Sequence, residues 1–288
     1  MKGPAVRFIL ILIIGSILLL TAALKQEGVY AQNSTRTTNA TGLSDDNGVN
    51  SQSRLQSKSV NYYDDSSGYL VFPTTMTSEQ QQQQKLPAVV MVHEWWGLND
   101  NIKNMANTLA KEGYVVLAAD LYKGEVATDP NRAQELSQSV RSDQNEAIAN
   151  LQSAVKYLSS LPNVNTSRIA SLGWCFGGGQ SLQLALNSKQ QPLAATILYY
   201  GNPLVTDKQV LSNIKWPILG IFGDQDQAVP VEKVKQFETA LNADRIPNEI
   251  HIYPGVGHAF ANPSGDNYAP KETADAWQKT LAFLNKYV

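Results

Sequence analysis

At 288 residues, 43% of them hydrophobic and 17% charged, the chain is long enough to bury a sizeable core and too apolar to be disordered throughout. A net charge of −2 with no cluster of Lys or Arg excludes a nucleic-acid-binding surface. The single cysteine, Cys175, excludes an internal disulfide.

In chain order, Lys2 and Arg7 precede an uncharged, largely apolar run from Phe8 to Leu24, and Val29-Tyr30-Ala31 offers small residues for cleavage. This is the layout of a signal peptide or, if it is not cleaved, of a membrane anchor. Residues 1–31 are assigned that role, and the body is expected outside the cytoplasm. Residues 32–58 are rich in Asn, Ser, Thr, Gln and Gly and read as a disordered tether. The glycosylation acceptor patterns at Asn33, Asn39 and Asn165 agree with export.

The folded domain is expected over residues 59–288. Val60–Tyr63 and Gly68–Phe72 read as a hairpin, and the Gln80–Gln84 run as a surface loop. Ala88–Val92 and Tyr114–Ala118 are continuous apolar runs of the kind that form strands buried on both faces. Between them, Ile102, Met105, Ala106, Leu109 and Ala110 recur at helical spacing. Asp129-Pro130 opens a helical region that runs to Leu161 with a break near Ser142. Further strands are predicted over 194–199, 217–222 and 249–253, and further helices over 231–241 and 273–287. This alternation predicts an α/β fold with a mostly parallel central sheet, helices on both faces, and no cap domain.

Sheets of this kind carry their chemistry in loops at the carboxyl ends of strands. Gly173-Trp174-Cys175-Phe176-Gly177 follows the strand-like Arg168–Leu172 and precedes the helical Gln180–Leu186. Gly-x-Cys-x-Gly in that place is a nucleophile elbow carrying sulfur in place of the serine oxygen. The nucleophile of such a turn is strained, so its neighbours two residues away must lack a Cβ for strand and helix to pack. The strand ending at Phe222 is followed by Gly223-Asp224-Gln225-Asp226, and the one ending at Tyr253 by Gly257-His258. Cysteine, acid, histidine is the order of the α/β-hydrolases. Asp226 is preferred as the acid because it stands just before Val229-Pro230, with Asp224 open as the alternative. His258 would take the thiol proton, so activity is expected to rise with pH as its imidazole deprotonates. At the end of the first buried strand, His93-Glu94-Trp95-Trp96 offers the Trp95 amide, with that of Phe176, as an oxyanion hole. Glu94 either pairs with the thiol or caps the helix that follows.

These segments, His93–Asn99, Gly113-Tyr114 through Tyr122, Gly173–Gly178, Gly223–Asp226 with Val229-Pro230, and Gly257–Phe260, resemble the dienelactone hydrolase family of α/β-hydrolases from about residue 60 to 288. The resemblance implies a catalytic triad of Cys175, His258 and Asp226, with Glu94 helping to form the thiolate. It implies opening of an enol-lactone, dienelactone itself in the family's named reaction, through an acyl-thiol, with no metal and no cofactor. It also implies an arginine that binds the substrate carboxylate, but Asn262 stands where one such arginine belongs, while Arg132 and Arg141 lie in the region that supplies another. The expected protein is therefore a monomeric, exported cysteine hydrolase of a small-molecule ester or lactone, touching a membrane only through its N-terminal segment. The alternatives are an exported binding or cell-surface protein on the same scaffold, and a thioesterase or peptidase on the same triad.

Overall fold

The apolar runs of the sequence become the middle of a single sheet. The computed structural model describes residues 55–74 and 85–288; the expected export segment, nearly all of the tether and the Gln80–Gln84 run lie outside them. Eight strands, β1 (Leu55–Tyr63), β2 (Ser66–Pro73), β3 (Leu86–Val92), β4 (Val115–Ala119), β5 (Val164–Trp174), β6 (Ala195–Tyr199), β7 (Ile218–Gly223) and β8 (Asn248–Tyr253), are ordered β1-β2-β4-β3-β5-β6-β7-β8. The β1–β2 and β2–β4 pairings are antiparallel, and the other five are parallel. Along β3 the side chains alternate: Ala88, Val90 and Val92 enter one core, Val89 and Met91 the other. The sheet therefore needs cover on both faces. Helices α1 (Asp100–Lys111) and α7 (Pro270–Tyr287) bury Ile102, Leu109, Phe283 and Leu284 on one side. Helices α3 (Gln144–Ser160), α4 (Phe176–Leu186) and α6 (Val231–Ala243) bury Leu151, Leu158, Leu182, Phe237 and Leu241 on the other. Each such side chain contributes about 1.5–3 kcal/mol by leaving water.

The helix starts follow local chemistry. Asn99 caps α1 through Ile102 N, so Glu94 is not its cap. Asp129 caps α2 (Pro130–Ser142), with Pro130 where a missing N–H costs nothing. Asp143 then caps α3, which makes the expected break near Ser142. A one-turn helix, α5 (Lys208–Leu211), was not legible in the sequence.

Several expected boundaries move. Strand β1 begins at Leu55, so Leu55–Lys58, assigned to the tether, are paired with Leu70–Pro73. Backbone pairing in a hairpin tolerates a polar strand that apolar patterning would not find. The helix after the elbow begins at Phe176 rather than Gln180. Gly177, Gly178 and Gly179 have poor helix propensity, but close packing there overrides it.

Candidate active site

The site is built at the carboxyl ends of β3, β5, β6, β7 and β8, around one turn. Cys175 leaves β5 with φ 54° and ψ −119°, a left-handed conformation for a residue that bears a Cβ. Glycine is obligatory on either side. A Cβ on Gly173 would sit 2.1 Å from the Gly177 carbonyl oxygen, and one on Gly177 would sit 2.4 Å from the carbonyl oxygens of Val92 and His93. Tyr200 (φ 39°) at the end of β6 and Ala259 (φ 61°) beside His258 share this strained region. Strain of this kind concentrates where side-chain placement is fixed by the surrounding packing.

Three of the sequence-expected residues form a hydrogen-bonded chain. His258 Nε2 lies 3.1 Å from Cys175 Sγ, and its Nδ1 lies 2.8 Å from Asp226 Oδ2. The Asp226 carboxylate is fully buried; its Oδ1 accepts from the amides of Ala228 (2.8 Å) and Val229 (2.9 Å). Asp224, the alternative acid, instead accepts from Gly255 N at 2.7 Å and ties the β7 loop to the β8 loop. Geometry therefore selects Asp226 as the partner of His258.

Burial alone would lower the pKa of His258, but hydrogen bonds to Asp226 and Cys175 and the attraction of both groups raise it to about 10. Burial works against an ionised Asp226 as well. The hydrogen bond from His258 and those from the two amides still hold its pKa below the ordinary carboxylate value. Paired on both nitrogens, His258 is expected to titrate above the neutral range read from the sequence. An imidazolium 3.1 Å from sulfur is the neighbour a thiolate requires.

Glu94 is buried beside this chain, and among the described residues its carboxylate bonds not to Cys175 but to Asn262, whose Nδ2 donates to Oε2. Burial raises its pKa to about 7, against the lowering pull of His258 and of the Asn262 hydrogen bond. The sequence assigned no role to the preceding His93. Its Nε2 accepts from Leu121 N at 3.1 Å, so Nδ1 carries the proton and donates to the Glu94 carbonyl at 2.6 Å. That bond fixes the plane of the peptide whose N–H belongs to Trp95, and Tyr122 Oη donates to the Trp95 carbonyl at 3.2 Å. The N–H groups of Trp95 and Phe176 make no hydrogen bond among the described residues.

Of these groups, Glu94, Trp95, Cys175, Phe176, His258 and Asn262 border one cavity of about 770 Å³, walled also by Trp96, Arg141, Asn202 and Asn267. Arg132 is taken up by Glu125 and Glu135 outside the cavity. Arg141 reaches the wall with its guanidinium 5.8 Å from the Phe176 ring centroid and has no carboxylate partner among the described residues. Tyr200 and Asn202 were missed in the sequence. Both follow the end of β6, and the rule that led to Asp226 and His258 would have found them had it been applied to that strand. Among the described residues no three His, Cys, Asp or Glu side chains are placed to hold a metal ion.

A mostly parallel sheet with helices on both faces and a nucleophile elbow after β5 defines an α/β-hydrolase. A model of the dienelactone hydrolase family matches residues 72–288. The chain is 31% identical over 235 residues to a Saccharolobus solfataricus protein assigned the name carboxymethylenebutenolidase, covering 69% of this chain and 89% of that one. It is 32% identical over 209 residues to Protein usf of Aquifex pyrophilus, covering 70% and 89%. Among solved structures it resembles a Klebsiella pneumoniae protein assigned as a dienelactone hydrolase, with a TM-score of 0.69 at 24% identity over 81% of this chain and all of that one. It also resembles P91, a dienelactone hydrolase-like promiscuous phosphotriesterase from metagenomic libraries, with a TM-score of 0.73 at 24% identity over 81% and 98%. At those identities the structural likeness is one of fold. The chain belongs to the dienelactone hydrolase family, and with it to the class of ester and lactone hydrolases.

Proposed function

We propose that the protein hydrolyses a carboxylic ester or lactone through an acyl-thiol on Cys175, with His258 and Asp226 completing a triad. The observation that carries this reading is the continuous hydrogen-bonded chain from Sγ through the imidazole to a buried carboxylate. In the first half-reaction the thiolate sulfur attacks the carbonyl carbon, and the carbonyl π electrons move onto oxygen. The N–H groups of Trp95 and Phe176 receive the oxyanion, both being without a partner among the described residues and the Trp95 peptide already fixed by His93. The tetrahedral centre then collapses and the carbon–oxygen bond to the leaving group breaks. His258 Nε2 delivers its proton to the departing alkoxide or enolate, which in a lactone stays attached as the other end of the opened ring. In the second half-reaction the now neutral imidazole takes a proton from water, the hydroxide attacks the thioester, and the thiolate leaves as a carboxylic acid forms. One water is consumed, and enzyme and proton inventory return to the start.

Arg141 is proposed as the partner of an anionic acyl group, since Arg132 is already neutralised and Asn262 is uncharged. Arg141→Met is expected to raise KM for an anionic enol-lactone by about tenfold or more while leaving p-nitrophenyl acetate nearly unchanged. Equal effects on the two substrates would contradict that role. For the reaction itself, Cys175→Ala is expected to lose turnover of both substrates by about 10⁴-fold or more, measured as kcat/KM. Retention of wild-type rates would contradict the proposal. The apolar run behind Lys2 and Arg7 supports export of this activity.

A further inference from the structure

The cavity has more room than a small acyl group on Cys175 would fill. At about 770 Å³ it lies in the upper part of the range that encloses a whole drug-sized ligand, about 300–1,000 Å³. Its lining away from sulfur is polar but balanced in charge. Arg141 and His258 face Glu94 and Asp266, so no net charge draws a fixed ion. Around them stand Trp95 and Trp96, edge to face with ring centroids 5.1 Å apart, and the carboxamides of Asn99, Asn202 and Asn267. Two of these carboxamides have settled orientations. Asn202 Nδ2 donates to the Ala228 carbonyl at 3.2 Å, and Asn267 Nδ2 to the His258 carbonyl at 3.0 Å. A carbonyl oxygen can only accept, so each amide nitrogen faces the backbone and each Oδ1 is turned from it. Neither Oδ1 has a partner among the described residues.

We propose that the leaving group of the ester is a polyhydroxylated alcohol, a sugar or similar polyol, whose hydroxyl protons are accepted by Asn202 Oδ1 and Asn267 Oδ1. The proposal rests on the ester-hydrolase reading above and names the alcohol half of its substrate. The side on which the two acceptors stand carries the assignment. Asn202 is tied to Ala228, whose own N–H holds Asp226, and Asn267 is tied to His258 itself. Both therefore sit on the loops that present the imidazole, which hands its proton to the departing oxygen. A hydroxyl suits this lining because it donates to the two free oxygens and also accepts. Asn99 offers the matching donor, since its Oδ1 is occupied by Ile102 N and its Nδ2 is free among the described residues. An ammonium group cannot accept, and it would meet Arg141 and the His258 imidazolium. A bare alkyl alcohol would displace water from both exposed carboxamides and return no hydrogen bond. Trp95 and Trp96 offer flat apolar faces for the C–H side of a sugar ring. The chemistry of the step is unchanged: the acyl group stays on sulfur, and the polyol leaves with the imidazole proton on its oxygen.

The test compares two acetates on the full chain. One is glucose acetylated on its primary hydroxyl. The other is tetrahydropyranylmethyl acetate, which keeps the acyl group, the ring and the ring oxygen but lacks the hydroxyls. Wild type is expected to favour the sugar ester by about tenfold or more in kcat/KM, because a site built to bond hydroxyls rejects the analogue without them. Asn202→Ala and Asn267→Ala are each expected to lower that ratio by about threefold or more. A loss common to both acetates cancels in the ratio, and the wild-type comparison stands even if a variant fails to fold. A wild-type ratio near or below one would overturn the proposal, as would a ratio unchanged in either variant. Faster turnover of acetylcholine than of the sugar ester would overturn it too, by marking the cavity as a site for a cation. Cys175→Ala run alongside separates the two levels. Persistent hydrolysis in that variant sinks the thiol mechanism, whereas Cys175-dependent hydrolysis without the sugar preference sinks the polyol assignment alone.

Discussion

At the scale of single residues, the proposed chemistry depends on where two protons reside. His258, raised to about 10 against an ordinary value of 6.5, contributes stability that is fully present below pH 6.5 and is lost as pH rises through about 10. Its proposed role as proton donor to the leaving group would end in the same range, so activity is expected to fall above about pH 10. A fall centred near the ordinary imidazole value would contradict this pairing. Glu94 shifts stability with pH in the same direction, but over a lower range and as a penalty on its charged form. Its folded pKa of about 7 lies above the ordinary 4.5, so the fold binds the extra proton and loses stability as pH rises from 4.5 through 7. Glu94→Gln keeps an acceptor for Asn262 and removes that penalty. Above pH 7 it is expected to be more stable than wild type by about 3 kcal/mol, with the difference vanishing at acid pH. Paired denaturant melts at pH 4.5 and pH 8 would show it, and equal gains at both pH values would contradict a buried, titrating carboxylate. Asp226→Asn leaves the shape intact but removes the charge behind the imidazolium. Its kcat is expected to fall by about 10³–10⁴-fold while KM changes little. Cys175, Asp226 and His258 were legible because each follows a strand end and is flanked by glycine or proline that marks the turn. The direction in which Glu94 points was not, since it is set by a loop 168 residues further along the chain.

At the scale of elements, the elbow is the most demanding local structure. Its glycines are required by backbone atoms rather than by flexible side chains, so relaxation is costly. Gly177→Ala would press a methyl against the carbonyl oxygens of Val92 and His93 and so push α4 away from β3. It is expected to destabilise the fold by about 3 kcal/mol or more and to abolish activity. The same change at Gly255, where a Cβ meets nothing within 4 Å, is a comparison in which only the positive φ of 75° is strained. Its cost is expected to be about 1 kcal/mol, and thermal melts of the two variants check the difference. The strands β3, β4, β6 and β7 were legible from unbroken apolar runs, which few other structures permit. The ends of β1 and α4 were not. Ladder hydrogen bonds recruit the largely polar Leu55–Lys58 segment, and tight packing makes helix of three consecutive glycines, effects that residue propensity does not encode.

At the scale of the whole molecule, the architecture was legible in the order of the elements, because alternating strands and helices with short connections admit few sheets. The placement of Arg141 at the cavity wall was not, since it depends on how α2 lies over the elbow. Export is a separate proposal. In cells expressing the full chain, hydrolase activity and protein are expected in the extracytoplasmic or membrane fraction, and recovery wholly in the cytoplasm would contradict it. The central claim is that Cys175 carries the acyl group. It is tested most directly by mixing the enzyme with p-nitrophenyl acetate, quenching with acid within the first turnover, and locating the acetyl group by peptide mass spectrometry. The expected result is an acetyl thioester on the Cys175 peptide that decays on longer incubation and is absent from Cys175→Ala. Turnover continuing at the wild-type rate in Cys175→Ala, or an acetyl group carried on another residue, would contradict it.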